Sequence, residues 1–151
     1  GFGPYAAHSE AAGMAISADF GESWNMVEGI DAPVLALAVW HDNSIVAGAK
    51  AGGAFFVDRN TMRARRIDDV AETATVTDVF IDNRGWLWLA TDSGVLVSDD
   101  GRNFQSLGAD DGLGSPFAVQ GAFAAQNSVL FGARPMGEEY SGGLSRVVVA
   151  F

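Results

Sequence analysis

The chain has 151 residues, 48% of them hydrophobic, and a net charge of −10 from 19 Asp and Glu against 9 Lys and Arg. The hydrophobic content excludes a disordered chain and is enough for one domain with a real core. The acidic balance argues against nucleic acid as a partner, because phosphates are met by Lys and Arg, and the absence of cysteine excludes disulfides, thiol nucleophiles and cysteine-held metals.

No stretch has the period of a long amphipathic helix, and no run reaches the ~18 apolar residues of a membrane span. The 19 Gly and 4 Pro suit many short strands joined by tight turns. Residues 5–9, 13–19 and 23–27 read as three such strands. His8, Ser9 and Glu10 are neighbours in sequence, which does not make a triad, since a triad is defined by geometry across a fold. A strand over 34–39 follows, then Trp40-His41-Asp42-Asn43 as a turn, where His41 beside Asp42 reads as a turn hydrogen bond. A second strand ends at Ala49, and Lys50 opens the next turn. The fourth strand of this group carries Arg63, Arg65 and Arg66.

The next group is the most complete. A strand over 76–81, a turn at Asn83-Arg84-Gly85, a strand over 86–91, a turn at Asp92-Ser93-Gly94, a strand over 95–98 and a turn over 99–103 lead into a short fourth strand. Gly, Asn and Asp supply the positive φ angles of tight hairpins. Trp86 and Trp88 share one strand face by alternation. They are expected to pack on the adjacent sheet, the alternative being one ring exposed to stack on a sugar.

Ala49, Thr91 and Ala133 end equivalent strands 42 residues apart. With that offset the columns align without a gap over sixteen positions. Val34, Val76 and Ala118 open the first strand, Asn43, Gly85 and Asn127 hold the turn, and Gly48, Ala90 and Gly132 are all small. A period near 42 with four short strands per unit indicates propeller blades. The expected fold is all-β, a β-propeller segment over residues 1–151. Two complete four-stranded antiparallel blades, approximately 33–70 and 75–108, are flanked by incomplete ones at 5–30 and 116–151. Incomplete blades leave strand edges and apolar faces open. The chain then reads as a piece of a longer propeller, as part of a ring completed by further blades from another chain, or as a small closed ring.

Ser17-Ala18-Asp19-Phe20-Gly21-Glu22-Ser23-Trp24 resembles the Asp-box of BNR-repeat propellers at every defined position. Ser98-Asp99-Asp100-Gly101-Arg102-Asn103-Phe104 resembles a version one residue shorter, and Val57-Asp58-Arg59-Asn60-Thr61-Met62 a decayed one. The stretch from Asp82 through Trp86 and Trp88 to Thr91, and Asp110-Asp111-Gly112-Leu113-Gly114-Ser115, are similar to repeats of two-component-regulator-type propellers. The resemblance implies structural roles for Ser17, Asp19, Gly21, Trp24, Ser98, Asp100, Gly101 and Phe104. The Asp accepts turn N–H bonds, the Gly takes positive φ, and the closing aromatic packs between strands.

The pattern breaks once, between Ala133 and Gly143, where residues 134–142 are inserted. Loops on a rigid scaffold are where binding tends to sit. The insertion holds Arg134, Glu138, Glu139 and Tyr140. With Lys50, Asp92, Asp110 and Asp111 these are the candidate partner-binding residues. No catalytic residue, metal or cofactor is assigned. The expected function is a non-catalytic binding or scaffold propeller for a protein or glycan partner, extracytoplasmic, with no nucleic acid and no membrane insertion. Two alternatives stand beside it: the sensor propeller of a signalling protein, and a fragment of a sialidase-like glycoside hydrolase. The second resemblance implies three arginines around a carboxylate and a Tyr–Glu nucleophile pair, whereas Arg63, Arg65 and Arg66 sit on a fourth strand.

Overall fold

A computed structural model describes residues 13–125, 128–135, 137–140 and 142–148. The strand expected over 5–9, with His8, Ser9 and Glu10, lies outside the described residues, as do Asn127, Met136, Ser141 and 149–151.

The first described hairpin pairs β1 (Ala15–Ile16) with β2 (Asn25–Met26). A four-stranded antiparallel sheet follows: β3 (Val34–Val39), β4 (Ile45–Ala49), β5 (Ala54–Asp58) and β6 (Arg63–Arg66), in sequence order. A second is built from β7 (Val76–Ile81), β8 (Leu87–Thr91), β9 (Gly94–Ser98) and β10 (Gln105–Leu107). A one-turn 3-10 helix, Ala109–Asp111, leads to a three-stranded sheet of β11 (Ala118–Ala125), β12 (Ser128–Ala133) and β13 (Gly143–Val148). The fold is therefore an all-β propeller segment, with two four-stranded blades between partial sheets.

The 42-residue period is visible in the hydrogen-bond register. Val34 faces Ala49, Val76 faces Thr91 and Ala118 faces Ala133. In each pair of strands the ladder then skips one residue, at Leu35, Thr77 and Val119, before resuming at Ala36, Asp78 and Gln120. A bulge at the same place in three units twists each inner strand alike. Asn43 and Gly85 both have positive φ, 63° and 85°, at their common turn position.

Strand alternation sends the two faces of each sheet into different cores. Val46 packs with Val76, Val79, Leu87 and Leu89 between the two complete blades. Ala47, Ala49, Phe55 and Val57 pack the other way, on Met14, Val27 and Ile30 of the first hairpin. Trp88, Ala90, Val95 and Val97 meet Ala118, Val129 and Phe131. The small column follows from this stacking: a Cβ on Gly48 would stand 2.6 Å from Val76 Cγ1 in the next blade.

Polar links cross the same interfaces. Thr77 Oγ1 donates to Ala118 O (2.8 Å), and Asp78 Oδ2 accepts from Gly121 N (2.9 Å). His41 does not bond to Asp42. Its Nε2 donates to Gly85 O in the next blade (2.7 Å), while Asp42 accepts from Ser44 N.

Candidate functional site

Lys50, Asp92 and Arg134 occupy one structural column. Each follows the second strand of its unit and donates its backbone N–H to the residue just before or at the start of the first strand: Lys50 to Pro33 (2.8 Å), Asp92 to Thr75 (3.0 Å), Arg134 to Phe117 (2.9 Å). The backbone hydrogen bond is the same three times, and the side chain is a cation, an anion and a cation.

These turns rest on firm ground. Gly52 N and Gly53 N donate to Ala74 O, Ala51 N donates to Thr75 Oγ1, and Arg66 Nη1 donates to Gly52 O. Such anchoring fixes where a loop presents its side chains. Lys50 is exposed, and Asp92 is half-buried with Ser93 Oγ at 3.2 Å. Arg134 is exposed, its guanidinium 5.8 Å from the Phe117 ring centroid.

The inserted loop is pinched at its base. A Cβ on Gly142 would lie 2.6 Å from Pro135 N, so the chain leaves and returns side by side. Gly114 N donates to Ser145 Oγ (2.8 Å), tying the connection before β11 to the strand after the loop. The connection carrying Asp110 and Asp111 therefore meets the base of the loop carrying Arg134, Glu138, Glu139 and Tyr140. Glu138 and Glu139 are exposed, and Tyr140 is half-buried. Asp110 is exposed, whereas Asp111 is committed locally, its Oδ2 accepting from Gly108 N (2.8 Å).

The hairpin aspartates are at the opposite ends of the strands and serve the turns. Asp19 Oδ1 accepts from Ser23 N (2.9 Å) and Ser17 Oγ (2.8 Å), while Gly21 N donates to Ser17 Oγ. Asp100 Oδ1 accepts from Arg102 N, Asn103 N and Ser98 Oγ, while Gly101 N donates to Ser98 Oγ. The Ser23 and Ser17 hydrogen bonds hold the Asp19 carboxyl at about 2, and the Asn103 and Arg102 N–H groups hold Asp100 well below the usual range. The decayed middle copy keeps this chemistry, because Asp58 Oδ1 accepts from Asn60 N and Thr61 N.

Trp24 departs from expectation. It is 62% exposed rather than packed between strands. Its counterpart Phe104 packs against the core between the two complete blades, and no preceding blade stands before Trp24 among the described residues. Trp88 is fully buried, stacked near Phe80, whereas Trp86 is half-buried beneath the Arg84 guanidinium at 4.4 Å.

Sequence reasoning missed the anchor below these rings. Asp82 is buried, and its carboxylate accepts from the Arg84 guanidinium, Trp86 N, Arg84 N and Trp88 Nε1 (2.9 Å). The available signal was an Asp four residues before a Trp across an Asn-Arg-Gly turn. Arg63, Arg65 and Arg66 do not form a three-arginine cluster: they meet Glu28, Phe56 and the Glu72–Phe55 pair, respectively. Among the described residues no three His, Asp or Glu side chains gather as a metal site.

No protein-family profile matches the sequence, and no curated protein does either. Solved structures do. The extracellular domain of BT4673 from B. thetaiotaomicron, described as a one component system, superposes with a TM-score of 0.67 at 16% identity, over 89% of this chain and 18% of that one. The extracellular domain of BT3049 from the same organism, described as a hybrid two component system, gives 0.58 at 17% identity, over 66% and 14%. PorZ, a surface component of the type-IX secretion system of Porphyromonas gingivalis, gives 0.57 at 21% identity, over 74% and 17%. The chain spans less than a fifth of each of these structures. What they share with it is the propeller-type fold, and those domains are extracellular or surface-borne.

Proposed function

We propose that this chain is a segment of an extracytoplasmic, sensor-type β-propeller that binds a protein or glycan partner on its loop face and is not itself catalytic. One observation carries the reading. Lys50, Asp92 and Arg134 stand at equivalent positions, each with the same N–H bond to the start of its unit, yet differ in charge. A constant frame with varied side chains is how repeat folds build a recognition surface. The connection with Asp110 and Asp111, and the loop with Glu138, Glu139 and Tyr140, extend it. The likeness to extracellular sensor domains supports the location and the sensing role, as does the resemblance of the repeats to Asp-box and two-component-regulator-type blades. Units at 5–30, 33–70, 75–108 and 116–151 are the corresponding division of the chain.

The test is a glycan array and a peptide array probed with the purified chain. A second probe has residues 134–142 shortened to the turn Asp92-Ser93-Gly94, and a third carries Arg134→Ala. Ligands captured by the parent and lost by both variants, with unchanged melting profiles, support the reading. Equal capture by all three probes, or hydrolysis of an arrayed glycan, would overturn it.

A further inference from the structure

At the opposite ends of the strands lies an open groove of about 1100 Å³, walled by hairpins of three successive units. Ser17 and Ala18 come from the first hairpin, the β3–β4 and β5–β6 turns form the floor, and the Asp100–Arg102 turn closes the far side. Arg59, Arg63, Arg65 and Arg102 line it. Four of the chain's 9 cations thus face one groove in a molecule of net charge −10.

Three aspartates share the lining as carboxylates, each with its Oδ1 taken up by backbone N–H groups of its own turn. Asp42 accepts from Ser44 N, Asp58 from Asn60 N and Thr61 N, and Asp100 from Arg102 N and Asn103 N. The arginines are not matched in this way. Arg59 and Arg102 have no side-chain hydrogen bond or ion pair among the described residues. Arg63 meets Glu28 at 3.3 Å with both side chains more than 70% exposed, a pair that solvent and salt weaken. The groove thus offers guanidinium forks, which fit planar carboxylates in a bidentate way.

Between the arginines the lining is apolar. Trp40 and Phe56 meet edge to face at 6.3 Å, with Met62 beside them. Each ring already has a partner on one side. The Arg65 guanidinium lies over Phe56 at 5.5 Å, and Trp40 packs on His41 at 4.5 Å. A sugar would need a free ring face to stack on, whereas apolar side chains need only ring edges and methyl groups. We infer that this groove is a second binding site, for an extended polypeptide segment that interleaves acidic and apolar residues. It is independent of the loop face, from which the length of the strands separates it.

The probe is a fluorescein-labelled peptide of alternating Glu and Leu, titrated by anisotropy with the whole chain. Binding should weaken at least tenfold in Arg59→Ala/Arg102→Ala, and less in Arg59→Lys/Arg102→Lys, which keeps the charge but loses the fork. Raising the salt from about 50 to 200 mM should weaken it further. Both arginines are exposed, so the variants should melt like the parent. Should either unfold, a Trp40→Phe variant that abolishes a peptide-induced fluorescence change gives an independent reading. Four outcomes overturn the site: no binding, equal binding of an alternating Lys and Leu peptide, binding unchanged in the alanine double variant, or binding of a sulfated oligosaccharide in place of the peptide.

Discussion

His41 Nε2 donates to the carbonyl oxygen of Gly85 at 2.7 Å, joining the turn after β3 to the turn after β7 in the next blade. The contact depends on a bare backbone. Gly85 has φ of 85°, and a Cβ there would stand 2.2 Å from His41 Cε1. Gly85→Ala should cost about 2–3 kcal/mol, from left-handed strain and displacement of the imidazole. His41→Ala should cost only about 1 kcal/mol, because the bond is exposed. Urea midpoints decide. Equal, small shifts in the two variants would mean that the turns do not press together.

Thr77 is the bulge residue of β7, and its hydroxyl lies within reach of two carbonyls, Ala90 O in its own blade (3.1 Å) and Ala118 O in the next (2.8 Å). Thr77→Val keeps the shape and removes the donor, leaving a carbonyl of the blade interface without it. The expected loss is about 1–2 kcal/mol. Hydrogen exchange should show it as faster opening of β11 than of β8. Uniform acceleration across both blades would contradict a latch between them.

How far the sequence could be read follows from what repeats. The columns Val34–Val76–Ala118 and Gly48–Ala90–Gly132 are legible because each blade meets its neighbour through the same positions, so packing imposes the period. The hairpin aspartates are legible for a local reason: donor and acceptor are within four residues. Thr77, Asp78 and His41 are not, since their partners across the blade interface are more than 40 residues away. Lys50, Asp92 and Arg134 directly follow the aligned column Ala49–Thr91–Ala133, so their equivalence is legible too, whereas the backbone bond they share is not. The arginine groove was illegible because three separate hairpins supply its walls.

The two tryptophans at opposite extremes of exposure make a paired prediction. Trp24, 62% exposed, should cost less than about 1 kcal/mol when changed to Ala. Trp88, fully buried against Phe131 at 5.6 Å and bonded to Asp82, should cost about 3–5 kcal/mol. Denaturant unfolding of both variants checks this. A large loss from Trp24→Ala would show that its ring is covered in solution, as Phe104 partly is in the 75–108 unit.

Asp82 makes the acid limb of stability testable. Burial pushes its carboxyl up, but bonds from the Arg84 and Trp88 side chains and from Trp86 and Arg84 N outweigh this and hold it below the ordinary 3.8. With a depressed folded value, the stabilisation is complete while the unfolded carboxylate is also ionised. It is lost as pH falls and the unfolded chain takes up its proton first. Asp82→Asn places an amide where Arg84 and Trp88 donate, so donor meets donor and Arg84 loses its counter-charge. Breaking such a buried pair costs about 3–5 kcal/mol near neutral pH. Asp19 and Asp100 titrate in the same acid range in both proteins, so the difference between parent and variant isolates Asp82. That difference should stay level from about pH 6 to pH 5 and narrow from there to pH 3. A gap of constant size over that range would mean that Asp82 titrates alike in the folded and unfolded chain, and that the Arg84–Trp88 anchor does not hold its charge.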